Sequence, residues 1–317
     1  MVAKDLAHPW GLAFLPDGRF LVTERPGRLR VVEANGRVGA PVAGVPPVVA
    51  QGQGGLLDVV TDSAFAQNRT VYLCYSEPDT LSGRTNSTAL ASARLSDDGT
   101  RLEGLRVLFS QRPKVASSAH FGCRIVESGP TLFLTLGDRF RHAADAQTLD
   151  NHHGKVVRIG KDGTVPKDNP FVNTVGAKPE IWSYGHRNAQ GAALGADGTL
   201  WMHEHGPQGG DEINLSLAGK NYGWPVITYG ENYGGGKIGE GEAGEVLRVA
   251  LGQLHDVEDE KGRFVHHVRR RQVREKAELY PVGDDGQLGR GEHTVDVGRV
   301  DGVARAWGVA SCAPGRT

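Results

Sequence analysis

The chain has 317 residues, of which 38% are apolar and 23% charged, and its formal net charge is −1. This balance is typical of a folded globular protein and excludes a protein that attracts nucleic acid or an anionic membrane through its overall charge. No apolar run approaches the ~20 residues of a membrane span, and the opening MVAKDLAHPWGL shows no hydrophobic region of a signal peptide.

The first elements are short strands joined by tight turns. Residues 11–35 contain GLAFLPDG, RFLVTE and RPGRLRVVEANG, in which Asp17-Gly18 and Pro26-Gly27 each separate two apolar runs. Such turn pairs between apolar runs predict a meander of three strands. Many of the 45 glycines lie in similar pairs, so many hairpins are expected along the chain.

Two patterns recur further along the chain. One, an apolar strand followed by a DG or NG turn, returns at intervals of about sixty residues, in 29–36, 93–99 and 156–163. The other, a hairpin that ends in polar residues, occurs in 11–24, 125–138 and 191–204. Repeated units of several strands predict a β-propeller, with an irregular β-sandwich as the alternative. Helical periodicity is nearly absent up to about residue 240.

The three cysteines, Cys74, Cys123 and Cys312, show neither metal-binding spacing nor a paired disulfide framework. Cys74 lies in VYLCY and is interpreted as a buried strand residue. The sequence therefore predicts neither a cysteine metal site nor a disulfide framework.

A polar cluster among tryptophans runs from Trp182 to Pro225. It combines charged and amide side chains with glycines, which let the backbone approach a ligand, and with aromatic rings, which exclude water. We therefore expect the functional site in this stretch. The segment 242–317 lacks the strand rhythm and contains the basic run HHVRRRQVREK, residues 266–276, interpreted as a solvated charged face rather than an anion or nucleic-acid site.

Several long motifs resemble one family. They are QGQGGLLDV (51–59), SSAHFGCRI (117–125), LDNHHGKVVRI (149–159), PEIWSYGHRNAQG (179–191) and EHGPQGGDEIN followed by NYGWP (204–225). Together they resemble the soluble pyrroloquinoline-quinone (PQQ) aldose sugar dehydrogenases of the glucose/sorbosone dehydrogenase family. The resemblance implies an all-β, six-bladed β-propeller that oxidises aldoses at C1 to lactones with PQQ and calcium. The resemblance covers about residues 7–240, and residues 1–241 are assigned to one propeller domain.

The resemblance also implies roles for individual residues. His120, in AHFG, matches the catalytic base, a role that suits an imidazole titrating near neutral pH. By itself this histidine would be interpreted as structural. Arg187 and Asn188, in GHRN, match a PQQ-contacting pair whose cation stabilises the developing oxyanion. Gln53 matches a glutamine near the quinone and sugar. Cys123 stands where relatives usually have glycine, so we expect a thiol that crowds the pocket.

Metal ligands are implied in the same way. Gly206 and Pro207 match a loop whose backbone carbonyls bind the active-site calcium, and oxygen is the ligand that calcium prefers. Glu212 and Tyr222 match positions that help to hold a second calcium in some relatives, and Glu212 could equally be a surface carboxylate. His203 and His205 point the same way on a strand, but nothing completes a zinc set with them.

Residues 242–317 depart from the family pattern. They stand where relatives carry further blades, and we interpret them as a divergent or frameshifted tail. An incomplete propeller lacks part of the PQQ clamp, so weak or absent activity is expected. The expected partners are an aldose and an electron acceptor that the motifs do not identify. The family implies a periplasmic or secreted location, although no export signal is visible.

Two other functions remain open at this stage. A propeller can be a non-catalytic module that binds a protein or a glycan, because fold alone does not determine function. A calcium-dependent lactonase is the third interpretation, with Asn151, Asn188 and Asp211 as conceivable ligands. The contexts of His120, Arg187 and Asn188 favour the dehydrogenase.

Overall fold

The computed structural model describes residues 2–80, 83–239, 255–258 and 264–267. Four antiparallel sheets follow one another along the chain, each built from consecutive strands in sequence order. This arrangement confirms the predicted all-β fold of propeller type, incomplete within the described residues. Helical structure is confined there to α1 (Phe65–Asn68) and a 3₁₀ turn (Ala143–Gln147).

The first two sheets have four strands each. Sheet 1 consists of β1 (Pro9–Phe14), β2 (Phe20–Glu24), β3 (Arg28–Val32) and β4 (Val38–Pro41). The meander predicted at 11–35 is therefore confirmed, with one further strand. Sheet 2 consists of β5 (Leu56–Thr61), β6 (Thr70–Pro78), β7 (Asn86–Leu95) and β8 (Leu102–Ser110).

The next two sheets contain the other recurring hairpins. Sheet 3 consists of β9 (Ile125–Ser128), β10 (Thr131–Thr135), β11 (Lys155–Gly160) and β12 (Ile181–Tyr184). Sheet 4 consists of β13 (Ala189–Leu194), β14 (Leu200–Glu204) and β15 (Glu212–Ser216). The hairpins expected at 125–138 and 191–204 are the pairs β9–β10 and β13–β14.

The first strands of successive sheets lie next to each other. β1 contacts β5, β5 contacts β9, and β9 contacts β13. Between the sheets lie three apolar clusters, one for each neighbouring pair, which include Leu73, Leu134 and Met202 respectively. Each sheet thus packs against its neighbours in the sequence, as blades of a propeller do.

The prediction that the cysteines form no disulfide framework was wrong. Cys74 in β6 and Cys123 in the loop before β9 form a disulfide, with their Cα atoms 5.6 Å apart. Both residues are fully buried, as predicted for Cys74. Cys123 has φ +80°, the left-handed conformation that favours glycine, so its backbone explains why a glycine suits this position. Cys123 is thus half of a disulfide and not a thiol that crowds the pocket. The sequence did not indicate this pairing because Cys74 is 49 residues away and only folding brings the two together.

The chain divides into two compact units, Met1–Gln253 and Leu254–Thr317. In the second unit the structure describes an antiparallel hairpin of β16 (His255–Glu258) and β17 (Phe264–His267). The rest of the predicted tail, 242–317, and most of the basic run, 266–276, lie outside the described residues, so the domain boundary at 241/242 stays a prediction. Among the helices of the described chain, none is long and apolar enough to cross a bilayer.

Candidate functional site

The candidate site lies at one edge of the sheets. Because the strands of each sheet alternate in direction, the loop before a first strand and the loop after the second strand leave at the same edge. Loops before β5, β9 and β13 carry Gln53, His120 and the pair Arg187-Asn188, and the loop after β14 carries Gly206. Hydrogen bonds from the His120 loop to Gln53 and to Asn188 show that these loops meet.

His120 is 4% exposed and is held from two sides. Its Nδ1 lies 2.6 Å from Oδ1 of Asp138, and its backbone N–H donates to Oε1 of Gln53 at 2.8 Å. Its ring packs edge-on against Phe140. A carboxylate at Nδ1 selects the tautomer that carries the proton there and leaves Nε2 as a lone pair. The geometry thus suits His120 to accept a proton at Nε2.

Asp138 is the residue that the sequence analysis missed. It follows β10, is fully buried, and accepts three hydrogen bonds: from His120, from the Phe140 backbone at 2.7 Å and from Trp224 Nε1 at 2.7 Å. Gly137 lets it approach, because a Cβ at that position would overlap the carbonyl oxygen of His120. The signal available was its place as the polar end of the hairpin 125–138, but its partners are distant in sequence.

Asn188 and Gln53 position the His120 loop. Asn188 is 2% exposed and its Oδ1 accepts the Gly122 backbone N–H at 3.1 Å, two residues after His120. Gln53 is exposed and holds the His120 backbone as described above. Both residues predicted at the cofactor therefore touch the loop that carries the predicted base.

Arg187 is 4% exposed, yet its guanidinium forms no ion pair with any carboxylate of the described residues. Its Nη1 donates to the carbonyl oxygens of His205 at 2.9 Å and Gly206 at 2.7 Å, and its Nη2 donates to the Tyr233 hydroxyl at 3.1 Å. It also lies over the Trp224 ring, 5.4 Å from the centroid. A buried cation held only by neutral oxygens fits a site for an anionic ligand.

A second buried histidine–carboxylate pair supports Arg187 from behind. Nδ1 of His186 lies 2.9 Å from Oε2 of Glu204, and the other oxygen of Glu204 accepts the backbone N–H of Arg187. Tyr222 stacks on the His186 ring at 4.6 Å. This pair is buried, so its role is to fix the backbone that presents the Arg187 side chain.

The residues predicted to bind calcium are only partly brought together. Arg187, Gly206 and Glu212 line one small cleft with Trp224. The carbonyls of His205 and Gly206 form an oxygen set that attracts a cation, and in this structure the guanidinium of Arg187 is that cation.

Tyr222 lies apart from that oxygen set. Its hydroxyl donates to the Leu215 carbonyl and accepts the Leu217 backbone N–H at 2.8 Å, whereas Glu212 begins β15. Pro207 follows Gly206 in the same loop and is half-buried. A calcium role for Pro207, Glu212 and Tyr222 stays a prediction.

The alternative metal sets are not assembled. His203 and His205 lie side by side, with ring centroids 5.9 Å apart, and no third histidine, cysteine or carboxylate of the described chain completes a metal set with them. Asp211 accepts the Gly206 backbone N–H, whereas Asn151 bonds to Asp145 and to the His153 backbone in a separate network.

Residues 6–255 match the profile of the Glucose / Sorbosone dehydrogenase family. The chain is 49% identical over 252 residues to the aldose sugar dehydrogenase YliI of Escherichia coli (strain K12), an alignment that covers 78% of this chain and 66% of that protein. The curated relatives are longer than the part that matches, since the chain spans 66%, 60% and 52% of three of them.

Solved structures show the same likeness. The apo form of the soluble aldose sugar dehydrogenase from Escherichia coli superposes with a TM-score of 0.76 at 45% identity, covering 80% of this chain and 73% of that one. The PQQ-bound form of the aldose sugar dehydrogenase from Streptomyces coelicolor superposes with a TM-score of 0.65 at 30% identity, covering 81% and 71%.

Proposed function

Because the chain belongs to the glucose/sorbosone dehydrogenase family, we propose that it oxidises aldose sugars at C1 to lactones with PQQ as the hydride acceptor. The observation that carries this proposal is the His120–Asp138 pair beside a buried, unneutralised Arg187. A base and a cation at one edge of the sheets are the two groups that hydride abstraction from an alcohol requires of the protein.

His120 takes the proton of the C1 hydroxyl. Nε2 accepts it, Nδ1–H remains bonded to Asp138, and the buried carboxylate stabilises the imidazolium that results. Burial of the pair excludes water that would otherwise compete for the same proton. The hydride of C1 leaves as the C1–O bond becomes a carbonyl. The sugar thus loses two electrons and two protons in all: the hydroxyl proton to His120, and the other proton with both electrons as the hydride.

Arg187 and Asn188 would hold the cofactor. Bound PQQ supplies an ortho-quinone that accepts the hydride. The guanidinium of Arg187 would stabilise negative charge on the bound ligand, since no carboxylate of the described residues neutralises Arg187. Asn188 fixes the backbone of the His120 loop through its Oδ1, and its amide N–H₂ would donate to the ligand.

Calcium is the second implied cofactor, and Gly206 and Pro207 would supply carbonyl ligands to it. The chemistry of the donor set fits, because the carbonyl oxygens of His205 and Gly206 already converge on a cation. A divalent ion there would replace the Nη1 contacts of Arg187 and leave its guanidinium to the anionic ligand.

The disulfide supports a periplasmic or secreted location. Disulfides persist in oxidising compartments and are rare where thiols are kept reduced. Cys74 and Cys123 are fully buried and joined, so oxidation stabilises the fold. We propose on this ground that the protein works outside the cytoplasm.

The test uses the purified full chain with PQQ and calcium. PQQ absorbance is titrated, and dye reduction is followed with glucose and other aldoses beside the E. coli aldose sugar dehydrogenase. We expect PQQ-dependent turnover that is weaker than in the longer relative. In His120→Gln we expect PQQ binding to persist while turnover falls ~10²–10⁴-fold, the usual contribution of a positioned base.

The matched control is His8→Gln, an exposed histidine that should leave turnover unchanged. Absence of any PQQ-induced absorbance change, or equal turnover in wild type and His120→Gln, would refute the proposal. Binding of PQQ without turnover of any aldose would instead show that the protein is a propeller that binds the quinone but does not oxidise sugars.

A further inference from the structure

Three potential metal ligands meet outside the proposed catalytic site, on the connection between β10 and β11. The ligand atoms of His142, Asp145 and His153 all lie within 4.8 Å of one another. Nδ1 of His153 lies 2.8 Å and Nδ1 of His142 lies 3.4 Å from the same atom, Oδ2 of Asp145. The 3₁₀ turn and the loop before β11 thus present three ligands from one short segment.

The hydrogen-bond donors around His153 do not balance. Nε2 lies 3.1 Å from the carbonyl oxygen of Pro113, which can only accept, so Nε2 carries a proton. Nδ1 faces the carboxylate of Asp145, which also can only accept. A neutral imidazole has one N–H, so at one of these two contacts a nitrogen lone pair would face an oxygen lone pair. The arrangement needs a second proton on the ring or a cation between Nδ1 and the carboxylate.

The geometry favours the cation. The His153 side chain is fully enclosed, whereas Asp145, which faces its Nδ1, is half-exposed and can receive an ion from solvent. A cation removes the conflict, because Nδ1 and Oδ2 become ligands while Nε2–H stays with Pro113. A metal-ligating histidine usually donates its other N–H to a backbone carbonyl or carboxylate in this way.

We propose that His142, Asp145 and His153 bind a divalent transition-metal cation of the zinc class, with the fourth coordination position open to solvent. Two imidazole nitrogens and one carboxylate oxygen suit zinc and its neighbours better than calcium or magnesium, which prefer oxygen alone. A separation of 3.4 Å is close to that between neighbouring ligands of a tetrahedral ion with bonds of ~2.1 Å.

The site has one closed and one open side. His153 is fully buried, whereas the side chains of His142 and Asp145 are 36% and 38% exposed, so an ion can enter from solvent. The backbone beneath is held in place: Nζ of Lys155 donates to the carbonyls of Asp145 at 2.9 Å and His153 at 2.6 Å. The proposed cation would hold the segment between Asp138 and β11 in its folded conformation. This metal site does not depend on the dehydrogenase proposal.

The test is a metal titration of the full chain. Wild type, His142→Ala and Asp145→Asn are freed of metal with a chelator and titrated with Zn²⁺ and, separately, with Co²⁺. Both substitutions fall at half-exposed positions, and far-UV circular dichroism checks their fold. We expect each variant to bind one equivalent of Zn²⁺ fewer than wild type. The visible Co²⁺ absorption bands of wild type should be missing in both variants. Zn²⁺ should raise the Tm of wild type but not of the variants.

The control is His266→Ala/His267→Ala, because adjacent histidines elsewhere in the chain can also bind zinc. This double variant should keep the equivalent that His142→Ala loses. Equal stoichiometry in wild type, His142→Ala and Asp145→Asn would overturn the proposal, as would a loss confined to the His266/His267 variant.

Discussion

The contacts that prepare His120 come from residues distant in the chain. Gln53 lies 67 residues before it, and Trp224, which bonds the other oxygen of Asp138, lies 86 residues after that aspartate. Asp138 therefore connects the proposed base to Trp224, over which the Arg187 guanidinium lies. At the residue scale, Asp138 is a positioning residue that acts through His120.

The first prediction concerns Asp138→Asn. An amide keeps the size of the side chain but removes the charge that stabilises the imidazolium, and it permits the wrong tautomer of His120. We expect kcat to fall ~10²–10⁴-fold, as for other histidines that lose their carboxylate partner. A PQQ titration should give a Kd within about threefold of wild type, since the substitution removes stabilisation that appears only in the reaction.

Asp17→Asn serves as the control, because Asp17 is half-exposed and pairs only with Arg19. An unchanged kcat in Asp138→Asn would contradict the assigned role. A loss of PQQ binding as large as the loss of kcat would show that Asp138 maintains the shape of the PQQ pocket and does not act through the base His120.

At the scale of elements, the disulfide joins a strand of sheet 2 to the loop that carries the base. Cys74 lies in the middle of β6, and Cys123 is three residues after His120. The loop also bonds to Asn188 through Gly122 and to Gln53 through His120. The loop is thus fastened covalently to sheet 2 and by hydrogen bonds to the two neighbouring loops.

The second prediction concerns this bridge. Cys74→Ala/Cys123→Ala releases a crosslink across 49 residues of chain, which the chain-entropy model values at about 4 kcal/mol. We expect the urea unfolding midpoint to fall accordingly, and reductant to lower the stability of wild type but not of the double variant. Titration of thiols in the unfolded, unreduced protein should find one free thiol, Cys312, and three after reduction.

Cys312→Ser is the control and should leave the unfolding midpoint and its response to reductant as in wild type. Three free thiols in the unreduced protein would refute the bridge. At the same scale, loss of the bridge is expected to raise the mobility of the His120 loop, which hydrogen exchange at Gly122 and Arg124 can report.

At the scale of the molecule, neighbouring sheets are joined by charges as well as by apolar clusters. Lys161, directly after β11 of sheet 3, lies 2.9 Å from Oδ2 of Asp62, directly after β5 of sheet 2, and also bonds Glu127 of β9. Glu127 accepts the Ser63 backbone N–H at 2.9 Å. Burial alone raises the pKa of Asp62, but hydrogen bonds from Lys161, Tyr72 and the Ala64 backbone outweigh it and hold the pKa well below its usual range.

The third prediction follows from that direction. A carboxyl whose pKa is lower in the folded state contributes stability that is present above its unfolded pKa, near 4, and is lost as the pH falls below it. We expect Asp62→Asn to lower the free energy of unfolding at pH 7 by about 2 kcal/mol, the scale of a hydrogen-bonded charge. The difference from wild type should shrink as the pH falls from about 4 towards 2.

Urea unfolding between pH 2 and pH 7 measures this difference. Asp17→Asn, at a half-exposed aspartate, is the control and should show a much smaller difference across the range. A difference between wild type and Asp62→Asn that stays constant with pH would contradict the assignment.

The sequence by itself determined the hairpins and their repetition. Asp17-Gly18 and Pro26-Gly27 set turns between alternating runs, and local turn chemistry of this kind acts over a few residues, so β1 to β3 follow from it. The motifs around His120, Arg187 and Asn188 indicated the family, and with it the fold and the candidate site. These inferences needed no knowledge of what lies opposite each residue.

Only the tertiary structure decided the partners. The structure shows that Asp138 supports His120, that Cys74 and Cys123 form a disulfide, and that His142, Asp145 and His153 form a cluster. Each of these contacts joins residues that are apart in the sequence and that the fold brings together. The carbonyl of Gly206, which is predicted to bind calcium, accepts a hydrogen bond from Arg187, a contact that the motif does not indicate. Periodicity and turn residues encode neighbours along the chain, whereas side-chain pairing across loops depends on how successive sheets pack.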